Sequence, residues 1–316
     1  MNKKFLRIFT LIVISMFGCN VAKADNFINL MDVSMTDSQI ETLRNLGFTD
    51  EEIDRMNLEE FNKNKDLDAK LISQNTKYYK IIEYIPFKTY SVSNNTSENN
   101  VLYYSKEISK EEYDNPDKYD NGISTQDKFT QEIINTEYKQ MTTSISYVNS
   151  NAYRFKNSLK WKKAPKTRSY DIIAIGFDNK VASDPSTKTF YMSYTEDDSN
   201  KGTCGYKSTS TTYLWKSSSK GEAAVIKLPE NTGRYTRYEF DMYMYFNVRK
   251  AIYDPIIALD AYGDYKHAQK KVSLSPTLGI GISSEGISFE ASVSPSITKS
   301  YDAISTSHAT ASIYWN

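Results

Sequence analysis

Few side chains in this sequence belong to the types that do chemistry, and none stands in a spacing that chemistry requires. The histidines are His267 and His308. A zinc site built from histidines needs three of them, or a His-x-x-x-His pair on one helix face, and the sequence has neither. The cysteines are Cys19 and Cys204. Cys204 with either histidine would supply the parts of a thiol hydrolase. Its surroundings, Gly202-Thr203-Cys204-Gly205, offer no helix start to lower the thiol pKa. The sequence carries no Gly-x-Ser-x-Gly elbow, phosphate loop or dinucleotide fingerprint. Acidic residues are plentiful, at 39, yet nothing selects the pair that a glycosidase uses. The expectation is a protein with no catalytic, cofactor-binding or metal-binding residues. The enzyme alternative is a secreted hydrolase whose site the sequence does not reveal.

Residues 272–298 carry a different kind of pattern. Val272, Leu274, Leu278, Ile280 and Ile282 alternate with small or hydroxyl residues. Ser284-Glu285-Gly286 marks a turn, and Ile287, Phe289, Ala291, Val293 and Ile297 resume the alternation. Ten of these 27 residues are Ser or Thr, and only Glu285 and Glu290 are charged, so the polar face is nearly neutral. A period of two separates the apolar and hydroxyl sets onto opposite faces of a hairpin.

This hairpin resembles the inserting segment of aerolysin-type pore-forming toxins. In those, many copies close into a barrel with apolar residues toward lipid and Ser/Thr toward the channel. Only a closed barrel satisfies every backbone group inside a bilayer. The resemblance covers this segment alone. It implies membrane contact through Leu278, Ile280, Ile282, Ile287, Phe289 and Val293, within 277–294. Pro276 and Pro295 lack an N–H for the ladder and leave arms of about 277–283 and 286–294. A membrane-crossing strand needs roughly 9–11 residues, so the first arm is short. The same pattern also suits an ordinary hairpin packing its apolar face on the core.

The elements that would carry these residues are mostly strands. Tyr, Thr, Ser, Ile and Val are abundant, with 25 Tyr in 316 residues, and favour a pleated sheet. The clearest strand runs from Tyr238 to Arg249. Tyr238, Phe240, Met242, Met244, Phe246 and Val248 form one face; Glu239, Asp241, Tyr243, Tyr245, Asn247 and Arg249 form the other. The outward tyrosines Tyr243 and Tyr245 are the candidate contact groups, since tyrosine offers an apolar ring with a polar tip. Shorter runs lie at 144–148, 170–177, 189–194, 211–215 and 309–315, and 77–92 is strand-like with a break at Pro86. Residues 128–140 read as a short helix on Phe129, Ile133 and Ile134.

Three helix starts stand near the N-terminus. Thr36-x-x-Gln39, Thr49-x-x-Glu52 and Asn57-x-x-Glu60 each place a side-chain acceptor three residues before an amide or carboxylate, the pattern that satisfies orphan N–H groups. Gly47 suits the left-handed residue that ends the first helix. The expected fold is mainly β, an antiparallel sandwich or elongated sheet, with a small N-terminal helical module. The divisions are 1–24 as a signal peptide, 25–75 as the helical module, and 76–316 as a β-rich domain with a polar insertion near 94–125.

The first 24 residues read as an export signal. Lys3, Lys4 and Arg7 precede an apolar run, and Val21-Ala22-Lys23-Ala24 places small residues at the cleavage positions, with the cut after Ala24. The alternative is lipid attachment at Cys19. Cleavage removes four basic residues and leaves 35 basic against 39 acidic, a net charge of −4. That balance disfavours nucleic acid as a partner. Cys204 would be the one cysteine left, so no internal disulfide is expected, and it is read as a small buried group. The richness in Asn, Lys, Ile and Tyr points to an AT-rich Gram-positive source. The function expected is secreted, non-enzymatic surface binding at a cell-surface or membrane target. The alternative is a β-pore-forming or bacteriocin-like protein using 277–294.

Overall fold

The computed structural model describes residues 26–85, 102–120, 132–271, 278–283, 286–291, 301–302, 304 and 306–316. Residues 1–25 with Cys19 and Ala24, the polar stretch 94–100, Pro276, Val293 and Pro295 lie outside the described residues.

The chain opens with β1 (Phe27–Ile28), β2 (Ser34–Met35), α1 (Asp37–Asn45), α2 (Asp50–Asp54) and α3 (Leu58–Asn64). Next come β3 (Lys70–Ile85), β4 (Leu102–Ile108), α4 (Lys110–Asp114) and α5 (Pro116–Asp120). Long strands follow as β5 (Glu132–Asn149), β6 (Ala152–Trp161) and β7 (Tyr170–Phe177). Then come β8 (Val181–Ser183), β9 (Thr189–Asp198), β10 (Thr203–Thr209), β11 (Leu214–Ser218) and β12 (Gly221–Lys227). The last elements are β13 (Tyr235–Lys250), β14 (Ile256–Lys266), β15 (Leu278–Ser283), β16 (Gly286–Ala291) and β17 (Ser307–Trp315).

The strands make two principal antiparallel sheets. The larger runs β10-β9-β13-β6-β5-β3-β4, with β8 pairing on β13; the smaller runs β11-β12-β7-β14-β17. They pack face to face as a sandwich. Phe155, Leu159, Met242, Met244 and Phe246 of the larger sheet share one core with Ile173, Ile175, Phe177, Ala224 and Tyr265 of the smaller. The even members of β13 from Phe240 to Val248 point into this core, as alternation requires. The sheets approach closely at Gly263, where any Cβ would collide with Thr143 and Asn157, so only glycine fits.

Local chemistry accounts for the helices. Thr36 accepts from the Gln39 N–H while the Gln39 side chain returns to the Thr36 N–H, and Thr49 with Glu52 repeats the arrangement. Asn57 accepts from the Glu60 N–H. Gly47 adopts φ +83°, where glycine alone is unstrained, and its missing Cβ makes room for Ser144.

Two sequence expectations are corrected. Residues 132–140, read as part of a helix, are the first half of strand β5, which pairs with β3 on one side and β6 on the other. Three apolar residues at helical spacing do not outweigh the ladder with β3, which β6 joins on the other side from Lys139 onward. Within the charged stretch read as an insertion, Leu102–Ile108 pairs as a strand on the edge of β3, and Ser109 then caps α4 by accepting from the Glu112 N–H.

Candidate functional site

The outer face of the smaller sheet carries the hairpin. Ile172, Ala174, Ala223 and Val225 point away from the sandwich core, yet each is at most 2 % exposed. Strand β15 lies against β11 and β12, and β16 against β7 and β14. The hairpin is a ladder of its own: β15 and β16 pair with each other and with no other described strand. Its register sets Leu278 opposite Ala291, Ile280 opposite Phe289, and Ile282 opposite Ile287. Directly opposed residues share a face, so positions 278, 280, 282, 287, 289 and 291 fall on one side. Gly279, Gly281, Ser283, Gly286, Ser288 and Glu290 fall on the other.

The root of the hairpin is held by a buried polar cluster that sequence reasoning missed. The backbone of His267 and that of Asp302 are joined by the Asp302 N–H donating to the His267 carbonyl at 3.0 Å, and Ala268 bridges to Tyr301. The His267 N–H in turn donates to the Asp302 carboxylate at 2.8 Å. That carboxylate is paired with the Lys139 ammonium, which reaches it from β5 and lies over the Trp161 ring. Asp171 of β7 accepts from His267 Nδ1 at 2.9 Å, from the Ala268 N–H at 3.0 Å and from the Tyr265 hydroxyl. Burial works against a charged His267 imidazole, but the Asp171 carboxylate outweighs it and the pKa is raised. His267 Nε2 has no hydrogen-bond partner, and the nearest carboxylate oxygen, on Glu137, is 4.0 Å away. His267, Lys139 and Asp171 are fully buried, so this His–Asp pair is sealed from any substrate. The signal available was parity: Lys139 shares its strand face with the core residues Met141 and Ile145, and Asp171 shares its face with Ile173, Ile175 and Phe177.

The outer face of the larger sheet is covered by α1–α3. Tyr243 and Tyr245, expected to point outward, are 1 % and 2 % exposed. They stack on each other and meet Phe48 edge-on. Alternation placed them away from the sandwich core correctly, but the helices close over that face and bury them. Lys156 donates from β6 to both Glu52 oxygens at 2.7 and 2.8 Å and to the Gly47 carbonyl at 3.1 Å. Arg154 bonds Asn64 and lies over the Tyr245 ring. Asp241, also in this interface, is pushed up to about 7 by burial and by the Glu52 carboxylate, against Lys160 and Lys156. A cleft of about 430 Å³ opens between α2 and α4, but Arg55, Lys110 and Lys160 on its walls are paired with Glu239, Asp114 and Glu51.

Cys204 is not the buried group expected. It is exposed on edge strand β10, with Sγ 3.7 Å from the Tyr238 hydroxyl. The neighbouring Asp197 raises its pKa, the opposite of what a nucleophilic thiol needs. His308 lies on the outer side of the other sheet, with Nε2 2.9 Å from Asp260, so neither histidine partners the thiol. Among the described residues no group of His, Cys, Asp and Glu is arranged to hold a metal ion. No described helix is long and apolar enough to cross a membrane.

No protein-family model and no curated protein matches the chain. Among solved structures, the C-terminal domain of the Streptococcus agalactiae AgI/II polypeptide BspA matches at 9% identity. The match covers 60% of this chain and 80% of that one with a TM-score of 0.23, too low to carry an argument.

Proposed function

We propose that this protein is exported and acts on membranes from outside the cell, by releasing β15–β16 from its body and inserting it into a bilayer with the arms of other copies. One observation carries the reading: the hairpin is a separate ladder laid on an apolar sheet face, so among the described residues its departure breaks no strand pairing of the sandwich. The register supports it, because one face is wholly apolar and the other bears glycine, serine and a single acid. A closed ring of such hairpins meets the requirement that backbone groups be satisfied in lipid.

The test is dye release from anionic and neutral liposomes by the purified mature protein. The expected result is release that disappears in the Ile280→Asp, Phe289→Asp double variant. No release under any condition, with the protein remaining monomeric on lipid, would remove the proposal.

A second reading, surface binding without insertion, is favoured by Tyr253, Ile257 and Tyr314. All three are large, apolar and strongly exposed, and Ile257 and Tyr314 lie where β14 pairs with β17. Replacing the three by Ser would then abolish liposome or cell binding even where no dye is released.

A further inference from the structure

The cleft between α2 and α4 holds two polar groups with nothing to bond. Tyr113 of α4 lines it and is 5 % exposed, and its hydroxyl has no hydrogen-bond partner. Asp241 of β13 is also 5 % exposed, and among the described residues its carboxyl group makes no hydrogen bond or ion pair. The strand register brings Asp241 to the cleft. It stands opposite Lys160, Lys160 opposite Gln140 and Gln140 opposite Tyr78, one row on one sheet face, and the last three line the cleft. Asp241 borders a chamber of about 10 Å³ that shares Lys160, Gln140 and Glu51 with the cleft, room for one hydroxyl group or one water. It is also the charged group that acts most strongly on the Tyr113 hydroxyl, so the two are neighbours on the cleft floor.

The backbone beside them is strained. Glu239, on the cleft wall, has φ +54°, a left-handed conformation that is costly for a residue with a side chain. It sits at the bulge where β13 shifts register against β9, between Tyr238 and Asp241. Arg55 holds it there, donating to its carbonyl at 2.8 Å and to its carboxylate at 3.0 Å. Buried groups without partners and strained backbone are costs that folding alone does not recover, and they gather where ligands bind.

The charges of the walls decide the class of ligand. Arg55, Lys110 and Lys160 face Glu239, Asp114 and Glu51, and Lys162 donates to the Tyr113 and Asp114 carbonyls at 2.6 and 2.8 Å. Among the described residues no wall charge is left bare to meet an ion. The groups that can bond a ligand are the Tyr113 hydroxyl, the Gln140 amide and the Asp241 carboxyl group, which is a neutral acid below about pH 7. Each of the three both donates and accepts, which is what an alcohol hydroxyl asks of its partner. A volume of about 430 Å³ falls in the range of small-molecule sites. We propose that this cleft binds an uncharged, hydroxyl-rich ligand of sugar size, one hydroxyl of which enters between Asp241 and Tyr113. The site lies on the larger sheet and is independent of the hairpin.

Saturation-transfer NMR on the purified mature protein, held slightly acidic so that Asp241 is protonated, tests this. The probes are glucose, galactose, mannose and N-acetylglucosamine, with glucuronate and glucosamine as charged counterparts. The expected result is saturable binding of a neutral sugar, about tenfold or more tighter than either charged counterpart. Tyr113→Phe and Asp241→Leu should each weaken it by about tenfold or more, because each removes a hydrogen bond to the ligand. Both should keep a thermal midpoint at or above that of the wild type, since each deletes a group that the folded protein leaves unpartnered. Asp241→Asn, whose amide still donates and accepts, should keep the affinity within about threefold. Binding that is unchanged in Tyr113→Phe and Asp241→Leu, binding that is tighter for the charged sugars, or no binding of any neutral sugar overturns the proposal.

Discussion

Both outer faces of the sandwich are covered, and the two covers are fastened in opposite ways. On the larger sheet, α1–α3 are bolted down by side chains: Lys156 grips Glu52 and the Gly47 carbonyl, Arg154 grips Asn64, and the Tyr191 hydroxyl donates to the Arg55 carbonyl at 2.7 Å. On the smaller sheet, β15 lies against β11 and β12 and β16 against β7 and β14, and among the described residues neither pairs with a strand of the sheet. A buried charge pair adds little net stability, but it penalises separation severely, because either charge left alone is stranded. Apolar contact has no such geometry; it weakens smoothly and is replaced equally well by lipid. The first cover is therefore part of the fold, and the second is the part that the proposed function asks to leave it.

The comparison breaks most visibly at Lys156. Lys156→Met should destabilise the protein by about 3–5 kcal/mol, because Glu52 is left buried without its cation. Urea unfolding checks this, and Glu52→Leu added to it should recover most of the loss. If the single variant unfolds at the wild-type midpoint, the helices are not bolted as described.

A smaller effect is expected on the other face. Ala174→Asp puts a charge under the hairpin, and the hairpin should undock while the sandwich keeps its urea midpoint. Chymotrypsin cleavage after Phe289 would then appear in otherwise folded protein. A midpoint that falls as far as in Lys156→Met would make the two covers equivalent.

Titration sharpens the contrast further. Asp241 sits in the helix interface with its pKa raised to about 7, so its protonated form stabilises the covered state. That contribution is complete below the ordinary carboxylate range and is lost as pH rises toward 7. Asp241→Asn should match the wild type in urea melts at pH 4 and exceed it at pH 8. The gap must appear in the global midpoint. The smallest effect is expected at Cys204→Ser, within about 0.5 kcal/mol, since the thiol is exposed on an edge strand and belongs to neither cover.

Much of the local structure was legible. The cap residues Thr36, Thr49 and Asn57 stand at the starts of three helices because capping is chemistry between near neighbours. The alternation of β13 is written in residue types two apart, and it appears in the observed register. The ion cluster at the hairpin root was not legible, because Lys139, Asp171, His267 and Asp302 come from four separate stretches of chain. The fate of Cys204 was not legible either, since an edge strand and a central strand look alike from within.

What the sequence determined by itself is periodic and local: where helices begin and which residues share a strand face. What the tertiary structure alone decided is which faces are covered and by what. Tyr243 and Tyr245 are buried because helices 180 or so residues earlier close over them, as the Asn64 side-chain contact with the Tyr245 hydroxyl shows across a separation of 181 residues. Periodicity tells a residue which way to point, but solvent exposure depends on what other part of the chain arrives there. That arrival is set by long-range packing, in which hundreds of weak contacts compete and no short stretch of sequence holds the result.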